Sequence, residues 1–202
     1  MAFPDHCATV HLMEARAKFL NRIVAAFLSL FLLCLPVGQA AIAQDASVEA
    51  LLDQLIGADK DEAFRIEQDI WRMWSRSGSP AMDLLLERGR AAAESGDYEA
   101  AIDHLTALTD HAPGFAEGWN ARATVFFQTG DFGPAVADIK QVLALNPRHF
   151  GALAGFGMIL ESLERKTQAL EVYRAALAIH PHMQGVLDSV KRLETDIAGR
   201  EL

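Results

Sequence analysis

The sequence predicts an all-α fold, a solenoid of stacked helix pairs, and two kinds of observation carry that prediction. Pro113, Pro147 and Pro181 recur at intervals of 34 residues, and Ala101, Ala135 and Ala169 keep the same interval. Two further columns run in step, Leu105, Ile139 and Tyr173 four residues after each alanine, and Gly89, Ala123 and Gly157 twelve residues before it. A fixed period of this length marks an architecture in which each unit buries its apolar face only against its neighbours. Between the columns, apolar residues fall at helical spacings, interrupted by Gly96-Asp97-Tyr98 and Gly130-Asp131-Phe132. In such a turn the glycine ends one helix, the aspartate caps the next, and the aromatic packs inward.

Residues 1–43 read as an address. Lys18 and Arg22 precede an apolar run of 13 residues, Ile23 to Leu35, which is followed by Pro36, Gly38 and the small-residue stretch that includes Ala41 and Ala43. This is the layout of a secretory signal cut after Ala43, with Met1 or Met13 as the start. Thirteen apolar residues fall short of the roughly 20 that span a bilayer, and an uncleaved inner-membrane tether is the alternative. The expected location is periplasmic or secreted.

Cleavage removes both cysteines, Cys7 and Cys34, and leaves 159 residues with 15 basic and 25 acidic side chains. Disulfides, thiolate catalysis and thiolate metal sites are thereby excluded from the exported part. The excess of negative charge, with no basic cluster, argues against nucleic acid and against an anionic membrane surface as partners. At 202 residues and 51% hydrophobic content the whole chain is too short for a large multidomain enzyme and too apolar to be disordered.

The elements follow in order. Val48, Leu51, Leu52, Leu55 and Ile56 form a one-sided helical stripe. A second helix from about Lys60 to Trp74 has a broad apolar face: Phe64, Ile66, Ile70, Trp71, Met73 and Trp74. Ser75 to Pro80 breaks it, with Ser79 as cap and Pro80 in the next helical turn. Residues 44–81 therefore read as a degenerate helical pair covering the first repeat. The repeats occupy 82–115, 116–149 and 150–183, and Val186, Leu187, Val190, Leu193 and Ile197 give 184–202 the stripe of a capping helix with a polar outer side.

Trp119, Ala123, Phe126, Gly130, Ala135, Ile139 and Pro147 in the middle unit carry a resemblance to the tetratricopeptide repeat of exported bacterial proteins. The third unit departs at its turn, where Glu164-Arg165 replaces Gly-Asp. The resemblance implies a right-handed α-α solenoid of three such repeats, between an N-terminal helical pair and a C-terminal cap. It implies too that first-helix side chains line a concave surface for a peptide or a partner protein, here Arg90, Asn120, Thr124, Phe127, Gln128, Gly155 and Met158. At the places where some relatives clamp a carboxylate stand Leu86, Arg90, Ala121, Gly151 and Gly155, which retain a single cation and argue against that ligand.

Chemistry beyond binding has little to rest on. There is no glycine-rich phosphate loop, nucleophile elbow or paired-histidine zinc helix. His111, His149, His180 and His182 stand near inter-repeat turns, and a metal-handling or enzymatic protein using them is the alternative function, although sites one helix layer apart, about 10 Å, do not share an ion. Acidic residues fall almost entirely at solvent-facing helical positions. Arg88 and Arg122 occupy a column where the repeat usually places leucine, so both are expected partly buried and in need of partners. Asp138 is the expected partner of Arg122 in a structural ion pair. The expected function is a non-enzymatic adaptor of the cell envelope without a cofactor, holding a protein or peptide in the groove, with self-association as a further option.

Overall fold

The computed structural model describes residues 36–199, with side chains from residue 47 onward. Residues 1–35 of the expected leader, with both cysteines, lie outside the residues so described, and the expected cleavage point after Ala43 falls within the first helix, Pro36–Gly57. Residues 48–202 form a compact unit of their own. Among the described residues no strand occurs, and no helix is long and apolar enough to cross a membrane.

The helices are α1 (Pro36–Gly57), α2 (Lys60–Trp74), α3 (Pro80–Glu94), α4 (Tyr98–His111), α5 (Ala116–Thr129), α6 (Phe132–Leu145), α7 (Phe150–Ser162), α8 (Lys166–Ile179) and α9 (Gln184–Ala198). Within the repeats α3 packs on α4, α5 on α6 and α7 on α8, and each second helix packs on the first helix of the next unit. The first helices α3, α5 and α7 also touch in succession, so they form the inner face of an all-α solenoid.

The small-residue column explains how closely the paired helices approach. A Cβ on Gly157 would come within 2.3 Å of the Tyr173 ring, and one on Gly89 within 2.5 Å of Leu105. Both large partners are fully buried, a gain of about 1.5–3 kcal/mol for each such side chain. Each second helix then ends alike: Ala112, Asn146 and His180 donate their backbone N–H to Leu108, Val142 and Ala176, one residue before the column proline.

The turns inside the repeats share one geometry. Gly96 and Gly130 adopt φ of 81° and 83°, and the following Asp97 and Asp131 donate N–H to Ala92 and Phe126 carbonyls five residues back. The third turn keeps the same bond, Arg165 to Leu160, by forcing Glu164 to φ 57°. The aspartates themselves diverge: Asp97 caps α4 by accepting from Ala100 N–H at 3.1 Å, whereas Asp131 makes no such bond and takes the Thr129 hydroxyl at 2.7 Å. Ser79 likewise stands at its cap position without a side-chain bond to the helix.

The N-terminal pair does not cover the first repeat. The apolar cluster of that repeat, built on Leu86, Leu105, Leu108 and Val125, contains no residue of α1 or α2. Val48, Leu52 and Leu55 of α1 pack instead with Ala63, Ile66 and Ile70 of α2, and this cluster closes on Phe150, Ile179 and Met183 of the third repeat. The second apolar stripe of α2 has an inner face to cover, which the end of a solenoid does not offer.

Glu164 is the non-glycine residue that bears the cost of a left-handed turn, roughly 1–2 kcal/mol relative to an ordinary conformation. Glu164→Gly is therefore expected to stabilise the protein by about 1 kcal/mol, visible in a thermal melt as a rise of about 2–4 °C. An unchanged or lowered midpoint would contradict the strain argument.

Candidate functional site

Asp59 starts α2, its carboxylate accepting the N–H groups of Asp61 and Glu62 at 3.0 Å each. From there the helix crosses the inner face, about 22 Å at 1.5 Å per residue. Its start is held by the last inter-repeat turn, where His182 Nε2 donates to the Ala58 carbonyl at 2.8 Å. Its end meets the first repeat, where Arg90 donates to the Ser75 hydroxyl at 3.1 Å. Arg148, in the turn before α7, anchors α1 through Glu49 at 2.6 Å and Asp53 at 2.9 Å.

Three side chains of α2 on one helical stripe meet the inner face, at positions 67, 71 and 74. Glu67 lies 3.3 Å from Nε2 of buried His180 and accepts the Trp71 indole N–H at 3.2 Å. Trp71 lies on Gly151, where a Cβ would stand 2.6 Å from the ring, so glycine is the side chain this approach permits. Trp74 stacks on the His149 imidazole with ring centres 4.3 Å apart and planes inclined by 16°. Phe150 closes the cluster from below, edge-on to Trp71 and also to His180.

Below the indoles runs a buried polar chain. Glu117 on α5 is 2% exposed, and its carboxylate takes Arg90 from α3, the Asn120 amide at 3.2 Å and His149 Nε2 at 3.1 Å. His149 Nδ1 accepts the Ala152 N–H at 3.1 Å and so caps α7, which leaves the proton on Nε2 to face Glu117. Every partner is supplied, as a buried carboxylate requires. Two cavities flank α2. One of about 350 Å³ is lined by Trp71, Arg90, Asn120, Thr124 and Gln128, and the other, of about 450 Å³, by Glu67, Met158, His180, His182 and Met183.

The residues expected to line the groove thus fall into different places. Arg90, Asn120, Thr124 and Gln128 share one cavity, and Met158 borders the other. Phe127 is half-buried and packs against Ala123, Ala135, Ile139 and Ile159, with Phe132 at 5.9 Å, so it belongs to the contact between repeats two and three. A Cβ on Gly155 would meet only Ile139, at 4.0 Å, so the close approach in α7 is made at Gly151.

Arg122 and Asp138 form a two-pronged pair, Nε to Oδ2 and Nη2 to Oδ1 at 2.8 Å each. The Arg122 guanidinium also donates to the hydroxyls of Thr106 and Thr109 on α4 and lies 4.9 Å from the Trp119 ring centre. Its own pKa is raised, first by the hydrogen bond to Asp138. Arg88, in the same column, is exposed rather than partly buried, since no preceding repeat supplies the wall that α4 gives Arg122. His149 and His180 stand at the inter-repeat turns with their side chains buried, and Glu117 is no solvent-facing acid. Among the described residues no group of three or more His, Cys, Asp or Glu is placed to hold a metal ion.

Sequence reasoning named His149 and His180 as turn histidines but missed that they and Glu117 are buried beneath α2. The available signal was the breadth of α2, whose apolar residues exceed what contact with α1 alone requires.

A family model for the tetratricopeptide repeat matches residues 86–135 and 120–183. A TPR repeat-containing protein of Rhizobium etli is 34% identical over 159 residues, covering 76% of this chain and 78% of its own. Among solved structures, the first TPR domain of Spaghetti (RPAP3) bound to the HSP90 peptide SRMEEVD superposes with a TM-score of 0.57 at 24% identity, over 59% of this chain and 95% of that one. The TPR2B domain of yeast Sti1 in its pHsp70 complex gives 0.55 at 18%, over 58% and 99%. The chain belongs to the tetratricopeptide repeat family.

Two predictions follow from the charges. Asp138→Ala leaves the Arg122 guanidinium, 14% exposed, without its carboxylate, and is expected to cost about 3 kcal/mol in urea unfolding; a loss below about 1 kcal/mol would mean that water replaces the partner. Glu67 titrates below the usual carboxylate range, chiefly through its hydrogen bond with His180 and against the effect of burial. A lowered folded pKa gives stability that is complete above the unfolded value of about 4.3 and lost as pH falls through the lowered one. Tryptophan emission should shift to the red over that acid range and lose this step in Glu67→Gln.

Proposed function

We propose that the protein is a non-enzymatic adaptor of the bacterial cell envelope which holds a peptide or a segment of a partner protein on its inner face. The observation that carries this reading is the docking of α2: the inner face accepts a polypeptide segment through a built set of partners, Gly151, His149 and His180. Of the solved proteins of the same fold, the RPAP3 domain is bound to an HSP90 peptide and the Sti1 domain is in complex with pHsp70. The envelope location rests on the layout from Lys18 to Ala43. The histidines serve structure in this reading, His149 between Ala152 and Glu117 and His182 on the Ala58 carbonyl.

The experiment is affinity capture from the native host's envelope fraction, with the tagged protein as bait and mass spectrometry of its amino terminus from the same preparation. A saturable protein partner and an amino terminus at or near Gln44 are the expected results. Intact residues 14–35 in a soluble cytoplasmic pool would overturn the location. Absence of any saturable partner would overturn the adaptor.

A further inference from the structure

α2 meets the solenoid as a ligand does. Beside the apolar cluster it shares with Phe150, its contacts with the inner face come from Glu67, Trp71 and Trp74, spaced four and three apart on one helical stripe, and their nearest receiving groups are His180, Gly151 and His149. No main-chain pairing registers the helix along the face. The apolar clusters that join the paired helices of the repeats contain no residue of α1 or α2, while Phe150, Ile179 and Met183 at the edge of the third repeat are shared with the α1–α2 cluster. The seat is also unsealed, with cavities on both sides and Phe64 of α2 62% exposed.

We infer that α2 is a resident occupant of the peptide-binding face, and that the partner segment this face takes is an amphipathic helix of the same pattern, an aromatic on Gly151, a second aromatic three residues later on His149, and a carboxylate four residues before the first. This rests on the adaptor reading and narrows its ligand from any polypeptide to a helix. The partner helix enters by displacing α2. Five residues, Ser75 to Ser79, link α2 to the first repeat, so the resident acts at an effective concentration in the millimolar range. The apparent affinity of an incoming helix is then its affinity for an empty face reduced by the fraction of time that α2 leaves the face free. The competition confers selectivity, because a segment lacking the aromatic pair cannot evict one that has it.

The probe is a fluorescein-labelled synthetic peptide of residues 58–76, added to the full-length protein. Trp71→Ala/Trp74→Ala empties the face, and this variant is expected to bind the peptide at least tenfold more tightly than the unmodified protein does. Adding Gly151→Leu to the same variant should abolish binding, since the new side chain fills the position of the indole. Hydrogen exchange on the unmodified protein is expected to accelerate across 60–74 when the peptide is in large excess, as resident and probe trade places. The inference fails if the emptied variant melts cooperatively yet does not bind the peptide, or if the unmodified protein binds it equally well. It fails too if the double variant loses cooperative melting, which would make α2 part of the folding core. In any of these cases a saturable envelope partner from the capture experiment would leave the adaptor reading standing with a different kind of ligand.

Discussion

Glu117 is a carboxylate almost wholly withdrawn from water, and the inner face depends on how it is satisfied. Arg90 reaches it from the first repeat, Asn120 from its own helix and His149 from the turn that opens the third. A buried carboxylate missing one of these partners is strongly destabilising, so the three repeats are held in one mutual arrangement rather than a range of curvatures. The same bonds set the plane of the His149 ring, and that ring is the platform on which Trp74 stacks. Repeat geometry and the seat of α2 are therefore one problem with one solution.

A column of the repeat does not by itself decide what its residue does. Arg88 and Arg122 occupy equivalent positions, yet Arg122 lies between Asp138, Thr106, Thr109 and the Trp119 ring, while Arg88 faces solvent. The difference is the preceding second helix, present for the second repeat and absent for the first. In a solenoid stability is a sum over units and their interfaces, and a terminal unit lacks one of its interfaces. The turns make the same point. Glu164 takes the left-handed conformation of Gly96 and Gly130 because closure of α7 onto α8, with Tyr173 seated on Gly157, outweighs the local strain.

The histidines show how a tertiary contact changes a residue's meaning. Read along the chain they are polar residues near turns, where water would satisfy them. In the fold, His149 and His180 lie under a helix from the other end of the chain, each within reach of one carboxylate, Glu117 and Glu67. Gly151 changes in the same way, from a small residue early in α7 to the point where an indole lies on the backbone.

Legible in the sequence alone were the helices, their pairing, and the facing of Arg122 and Asp138. All of these follow from periodicity and from contacts within one helix pair, sixteen residues apart for Arg122 and Asp138, or between positions related by one repeat. The tertiary structure alone decided where α1 and α2 go. Their stripe shows that they must be covered but not by what, because an apolar face is satisfied by any apolar surface of matching shape. The choice was made by specific fits more than seventy residues away along the chain, an indole on Gly151, an imidazole under Trp74 and a carboxylate beside His180, and no local pattern encodes a fit of that kind.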